Sequence, residues 1–371
     1  MADLVLRFGL AGIGAGAKNL LSGFARSQHA RLVAAADLRQ DALAAMKKEL
    51  DVRTYSSVED MCGDPDVDAV WVATPNHLHA QHTIAALIRG KHVIVSKPMA
   101  VTLEECEAMN EAAERSGGLL LAGHSQAMAA PIRKMAELVR SGDYGRLAMI
   151  HTWHYTDWIY RPRLPAELDE SQGGGAVFRQ SPHQIDIVRS VAGVPVERVR
   201  ASTFQLDPNR PATGAYTLFL SFAGGAAATV VYSGYGHFDA SELTFGHGRL
   251  LSLSIRGKDE DEAALKEAAR YTGEVRPAES KNHPFFGLTV ATCERGDIRQ
   301  SPNGLYVYTD SGREEIELPV EEQRGEAEFE ELYEAVVHGR PLLHDGRWGQ
   351  ATHQVTLAVL ESARTGREVS P

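Results

Sequence analysis

The strongest constraint on what this chain can fold into lies in its first 37 residues. Leu4 to Leu10 is apolar apart from Arg7 and runs into Gly9-Leu10-Ala11-Gly12-Ile13-Gly14-Ala15-Gly16-Ala17. Gly12, Gly14 and Ala17 fit G-x-G-x-x-G/A, a spacing that carries meaning only between a strand and a helix. Both flanks are present, because Leu20, Leu21 and Phe24 then recur at helical spacing. Glycines at such a turn let backbone N–H groups approach a pyrophosphate at the positive end of the helix. A second apolar run, Arg31 to Ala36, ends in Asp37, 20 residues past Ala17. A carboxylate there accepts ribose hydroxyls and repels a ribose phosphate, which favours NAD over NADP. Gly12, Ile13, Gly14 and Asp37 are therefore the first candidate nucleotide contacts.

A length of 371 residues points to two domains, since single cores rarely grow beyond about 250–300 residues. The formal net charge of −11 argues against a nucleic-acid partner. No apolar run approaches the ~20 residues of a membrane helix, and Met-Ala-Asp-Leu does not open like a secretion signal. Cys62, Cys106 and Cys293 are odd in number and far apart, the usage of a reducing cytoplasm.

Strand-like and helix-like segments alternate up to about residue 124, as a doubly wound parallel sheet requires. Ala69–Ala73 reads as a buried strand before Thr74-Pro75-Asn76, and His92–Val95 as another before Ser96-Lys97-Pro98. Thr102 and Glu105 form a capping box, and Leu119–Ala122 closes the sheet. After residue 124 the pattern changes. A helix over 131–140 and a strand over 148–155 lead to Gly173-Gly174-Gly175 and a helix from about Ala176 to Ala192. Strands are expected at 199–204, 216–222, 226–232, 243–245 and 250–255, following one another as an open, largely antiparallel sheet does. Residues 258–281 read as a charged excursion, and 329–337 and 351–360 as closing helices. The expected fold is a Rossmann α/β domain over 1–124 and an α+β domain over 125–371, the latter for substrate and oligomerisation.

Val72-Ala73-Thr74-Pro75-Asn76-His77-Leu78-His79 and Gly90-Lys91-His92-Val93-Ile94-Val95-Ser96-Lys97-Pro98 resemble the glucose-fructose oxidoreductase / inositol dehydrogenase / MocA family. So do Gly173-Gly174-Gly175 followed by His183 and Asp186, and Leu360 to Gly366. The resemblance spans essentially the whole chain. It implies NAD(P)-dependent redox chemistry on sugars, polyols and related alcohols, with Thr74, Pro75, Asn76, His79, Ser96 and Lys97 on the cofactor side. It also implies Lys97 and His183 as the acid–base pair, and a homo-oligomer, dimer or tetramer. Two departures stand out. Ser96-Lys97-Pro98 replaces the usual Glu-Lys-Pro, and Arg179 stands where sugar-handling members usually place an aspartate.

An aspartate accepts hydrogen bonds from hydroxyls, whereas an arginine only donates and favours carboxylate or phosphate. On a helix, Arg179, His183 and Asp186 share a face. Upstream, Trp158, Tyr160, Arg161 and Arg163 add two guanidinium groups beside aromatic rings. Three guanidinium groups imply a small anionic substrate, planar and with more than one carboxylate. Tyr155–Pro165, Phe178-Arg179-Gln180 and Leu343–Gly346 are similar to the phthalate cis-dihydrodiol (dihydroxyphthalate) dehydrogenases of aromatic catabolism. Cationic neighbours bias a histidine toward its neutral, basic form, and Asp186 is placed to orient His183. A sugar-acid or polyol dehydrogenase, a redox-neutral NAD-using glycosidase and a non-catalytic dinucleotide sensor are the rival readings. His77, His79 and His82 lack a metal-ligand pattern, and no metal is expected.

Overall fold

The structure is a computed structural model that describes residues 4–14, 17–123, 126–238, 240–246, 255, 261–262, 264–265, 283, 285–320 and 326–371. The described residues form two compact units. The first draws on Met1–Ser125, Ala264–Glu279 and Gln323–His353, the second on Gln126–Ala263, Ser280–Glu322 and Gln354–Pro371.

In the first unit, β1 (Leu6–Ala11), β2 (Ala30–Ala36), β3 (Arg53–Tyr55), β4 (Ala69–Val72), β5 (His92–Ser96) and β6 (Leu120–Gly123) form one parallel sheet. Its order is β3-β2-β1-β4-β5-β6, the doubly wound order of dinucleotide-binding domains. α1 (Ala17–Arg26), α2 (Gln40–Leu50), α3 (Val58–Cys62), α4 (His79–Leu87) and α5 (Leu103–Ser116) connect the strands. Because strand side chains alternate, Phe8, Leu10, Trp71 and Ile94 enter one core, while Ala11, Val70, Val72, Val93 and Val95 enter the other. The capping box on α5 forms as expected from Thr102 and Glu105.

After residue 124 the segments Ala264–Glu279 and Gln323–His353 also group with the first unit. α8 (Glu326–His338) rejoins the first unit, where Phe329 lies 5.1 Å from Phe8, 4.3 Å from Phe24 and 5.2 Å from Trp71 between ring centroids. Phe329 joins Leu20, Leu21 and Phe24 of α1 and Leu43 and Met46 of α2 on the sheet face that carries Phe8 and Trp71, and aromatic pairs at such distances stabilise beyond area burial alone.

The second unit holds an eight-stranded sheet of order β14-β13-β12-β11-β7-β10-β9-β8. The strands are β7 (Leu147–Tyr155), β8 (Val196–Phe204), β9 (Ala215–Phe222), β10 (Ala227–Ser233), β11 (Leu288–Cys293), β12 (Gly296–Ser301), β13 (Gly304–Thr309) and β14 (Gly312–Glu317). All neighbours are antiparallel except β7 and β10. α6 (Ala130–Ser141), α7 (Gly175–Ala192) and the end of α9 (Gly346–Thr365) pack on one face, against Ile150, Leu218 and Val230. The opposite face carries exposed Met149, Trp153 and Phe219.

Three expectations change here. The segment 243–245 is not a strand, because Ala240–Thr244 forms a 3-10 turn. The strand at 250–255 and the excursion at 258–281 lie, apart from isolated positions, outside the described residues. The four strands β11–β14 were not expected, although Asn303-Gly304 and Ser311-Gly312 between alternating runs are hairpin signals. Among the described residues, no helix is long and apolar enough to cross a membrane.

Candidate active site

The nucleotide side begins where β1 ends. Gly12 has φ +91, and a Cβ there would lie 2.9 Å from Ala73 O and Thr74 N, so only glycine fits beside the neighbouring strand. At Gly14 a Cβ would meet nothing within 4 Å. That space lies at the start of α1, where a pyrophosphate is expected to approach the backbone. The turn therefore fits a dinucleotide, which when bound supplies the hydride acceptor.

Asp37 follows β2 and closes the turn. Its Oδ2 accepts the Ile13 N–H at 2.7 Å and its Oδ1 accepts the Arg39 N–H at 2.9 Å. The Arg39 guanidinium lies 3.3 Å from Oδ1. A carboxylate offers about four acceptor positions. The expectation that Asp37 takes both ribose hydroxyls is therefore narrowed, since three donors already face it.

Thr74, Pro75 and Asn76 continue from β4 into a short turn at Asn76–Leu78. His79 is buried, with Nδ1 2.8 Å from Pro98 O and Nε2 2.8 Å from Thr74 O. It ties the loop after β4 to the loop after β5, a positioning role. His82 lies 3.0 Å from the Thr74 hydroxyl, and burial holds it below the usual histidine range. Lys97 directly follows β5, half-buried, at the carboxyl end of the sheet where ligands of such folds bind. Ser96, read from sequence as a cofactor contact, accepts a hydrogen bond from the Trp71 indole at 3.0 Å. Its hydroxyl thus serves the core beneath the site.

The substrate side is built on α7 and the loop after β7. Arg179 is half-buried and pairs with Glu167 at 3.1 Å. Arg163 reaches the same Glu167 oxygen at 3.5 Å and stacks 4.2 Å over the Trp158 ring. It donates to Trp158 O through Nε and Nη2. Arg161 forms a buried pair with Asp157 at 2.6 Å. Burial pulls the Arg163 guanidinium down to about 10; Glu167 opposes this, while Arg179 and Arg161 reinforce it. The three guanidinium groups are thus brought together, but with two carboxylates among them.

Three of the residues expected to contact substrate have partners within the protein. Arg161 is committed to Asp157, Trp158 is the platform for Arg163, and Asp186 is fully buried with Arg189 at 3.8 Å. Tyr160 contacts Tyr235 edge-to-face at 6.0 Å. His183 is buried with its ring 4.7 Å from Phe286, and His154 stands 4.4 Å from Phe286 on the β7 side. Below them Tyr232 bonds Thr156 at 3.0 Å, and the Tyr216 hydroxyl donates to Gln184 at 2.8 Å. The Tyr216 phenol is raised well above its ordinary range by burial. Sequence reasoning did not single out Glu167, Tyr232 or Phe286, and weighed His154 only with His151, as two side chains on opposite faces of a strand that do not share a metal. Only Glu167, four residues after Arg163, left a signal of its own. Among the described residues, no group of three or more acidic, histidine or cysteine side chains is placed to hold a metal ion.

A doubly wound sheet with a glycine turn closed by an acid defines a dinucleotide-binding fold. The chain belongs to the glucose-fructose oxidoreductase / inositol dehydrogenase / MocA family. Residues 6–124 match the model of its oxidoreductases with an NAD-binding Rossmann fold, and residues 132–251 match its C-terminal domain. NAD is its cofactor and dehydrogenation its class of reaction.

Among similar proteins is the 1-carboxy-3-chloro-3,4-dihydroxycyclohexa-1,5-diene dehydrogenase of Comamonas testosteroni, 35% identical over 97% of this chain and 95% of that one. The NADP(+)-dependent scyllo-inositol 2-dehydrogenase of Bacillus subtilis is 28% identical over 74% and 77%. A solved structure from Bordetella bronchiseptica RB50 superposes with a TM-score of 0.94 at 36% identity, covering 99% of this chain and 100% of that one.

Proposed function

We propose that this protein oxidises a carboxylate-bearing cyclic diol, a cis-dihydrodiol of an aromatic acid, with NAD. The observation that carries this reading is Arg179. It stands one helical turn before His183, at a position where the family resemblance implies a hydroxyl-gripping aspartate, and it shares Glu167 with Arg163. Lys97 and His183 act as the acid–base pair: one takes the hydroxyl proton as hydride leaves the same carbon for the nicotinamide. The resulting hydroxycyclohexadienone tautomerises to an aromatic catechol, which pulls the oxidation forward. The name of the Comamonas testosteroni relative, a carboxylated dihydroxycyclohexadiene dehydrogenase, supports the same substrate class.

The carboxylate count is revised from the sequence expectation. Arg161, Arg163 and Arg179 face Asp157 and Glu167, which leaves one cation in excess. One substrate carboxylate balances that charge; a phthalate-derived diol places its second carboxylate elsewhere. NADH formation, followed by absorbance, tests this with benzoate-type and phthalate-type cis-dihydrodiols, uronates and inositols. Turnover of the carboxylated diols, lost in Arg179→Asp, supports the reading. Turnover of neutral inositols that survives Arg179→Asp overturns it in favour of a polyol dehydrogenase.

The proposal extends to assembly and location. Met149, Trp153 and Phe219 on the open sheet face suit a homo-oligomer contact, measurable by light scattering of the purified protein. Three free, buried cysteines suit the cytoplasm.

A further inference from the structure

Asp37 does not stand alone at the end of β2. Arg39, two residues on, places Nη2 2.6 Å from the Ile13 carbonyl and Nε 3.3 Å from the Asp37 carboxylate. The two backbone groups of Ile13 are therefore held by opposite charges: its N–H by Asp37 and its C=O by Arg39. Arg39 also immediately precedes α2, with φ −87 and ψ 114, and no side chain caps that helix start. Leu38 between them is 86% exposed, so the crook opens outward.

By the rule for this fold, the adenosine ribose comes to the acid at the end of β2. A lone carboxylate there rejects a 2′-phosphate, which carries a charge of about −1.5 to −2 at neutral pH. Here the carboxylate is already paired, and its partner is the side chain best suited to grip a phosphate. The uncapped start of an eleven-residue helix adds the positive end of its dipole.

We propose that Arg39 is the specificity-determining residue of the nucleotide site and makes the protein competent for the 2′-phosphorylated dinucleotide as well as NAD. Asp37 sets the preference for NAD. Arg39 sets how far NADP is admitted, by turning from the carboxylate to the phosphate while Ile13 stays held by Asp37.

The test is calorimetric titration of the full-length protein with adenosine 2′,5′-bisphosphate and, separately, adenosine 5′-monophosphate. No diol is present, so the result is independent of the substrate reading above. The wild type is expected to bind the monophosphate more tightly, and the bisphosphate measurably and within about tenfold of it; no detectable binding of the bisphosphate would overturn the proposal. Arg39→Ala is expected to weaken the bisphosphate about tenfold or more, the scale of a lost charge-assisted bond, with a smaller effect on the monophosphate. Asp37→Asn, which keeps an oxygen for the Ile13 N–H, is expected to tighten the bisphosphate about tenfold by removing the competing charge. Equal weakening of both ligands by Arg39→Ala would reduce Arg39 to a loop clamp and overturn the proposal. So would an unchanged ligand ratio in Asp37→Asn; if that variant does not fold, the wild type and Arg39→Ala decide the matter alone.

Discussion

Arg179 offers a guanidinium to solvent, yet Glu167 already sits against it and against Arg163. The carboxylate therefore has two opposed effects. It neutralises charge that would otherwise attract an anionic substrate, and it makes burial of Arg163 tolerable. Glu167→Gln is expected to lower KM for a carboxylated diol about tenfold, the scale of one additional charge-assisted hydrogen bond to the substrate. It is also expected to cost about 3 kcal/mol of stability, because breaking a buried pair leaves Arg163 without its counter-charge. Steady-state kinetics and urea unfolding separate the two effects. A KM that rises together with the stability loss would mean that Glu167 only scaffolds the site. The cation at 179 stood out in sequence because the family resemblance puts an aspartate there, and those at 161 and 163 because they lie beside aromatic residues. Their partners were only half marked, since Asp157 and Glu167 stand four residues from Arg161 and Arg163, a spacing that does not by itself separate them from other loop acids.

Elements tell a similar story, with the local signals readable and the long-range ones hidden. The glycine turn, the α5 capping box and α7 announce themselves within a few residues. β11–β14 did not, although each of these strands alternates, because their place in the sheet depends on β11 pairing with β7 far earlier in the chain. That pairing is what sets Phe286 beside His183 and His154. Gly287 permits it: its φ is +76, and a Cβ there would fall 2.2 Å from Trp153 O and 2.8 Å from His154 Cβ. Gly287→Ala must therefore push the start of β11 away from β7 and carry Phe286 with it. The expected result is a drop in kcat/KM of at least about tenfold together with a lower Tm, since a strained site of this kind costs more than about 1 kcal/mol. Unchanged kinetics in a destabilised protein would show that the aromatic contact to His183 is incidental.

For the molecule as a whole, the charge distribution sets how folding responds to acid. His82, His92 and His353 are all held below the ordinary histidine value of 6.5, each chiefly by burial, and all three belong to the first unit. The sign follows from which state binds the proton. Just below pH 6.5 the unfolded chain takes up protons that the folded chain refuses, so stability is complete above that pH and drains away as pH falls through the lower folded values. Each histidine contributes at most about 1.4 kcal/mol per pH unit over its window. Glu331, held low by His344 and two backbone N–H groups against the penalty of burial, acts in a second window. Its contribution is present above 4.5 and is lost below that. Acid unfolding is therefore expected in two stages, histidines first and carboxylates after. His353 is the clearest probe, because it is buried and its Nε2 lies 3.1 Å from Val101 O, a contact that a glutamine amide can replace. Urea unfolding at pH 7.5, 6.0 and 5.0 is expected to show His353→Gln losing less stability than the wild type across the first interval. Parallel losses in the two proteins would mean that the buried histidines take up protons without opposing the fold, and that carboxylates alone govern its response to acid.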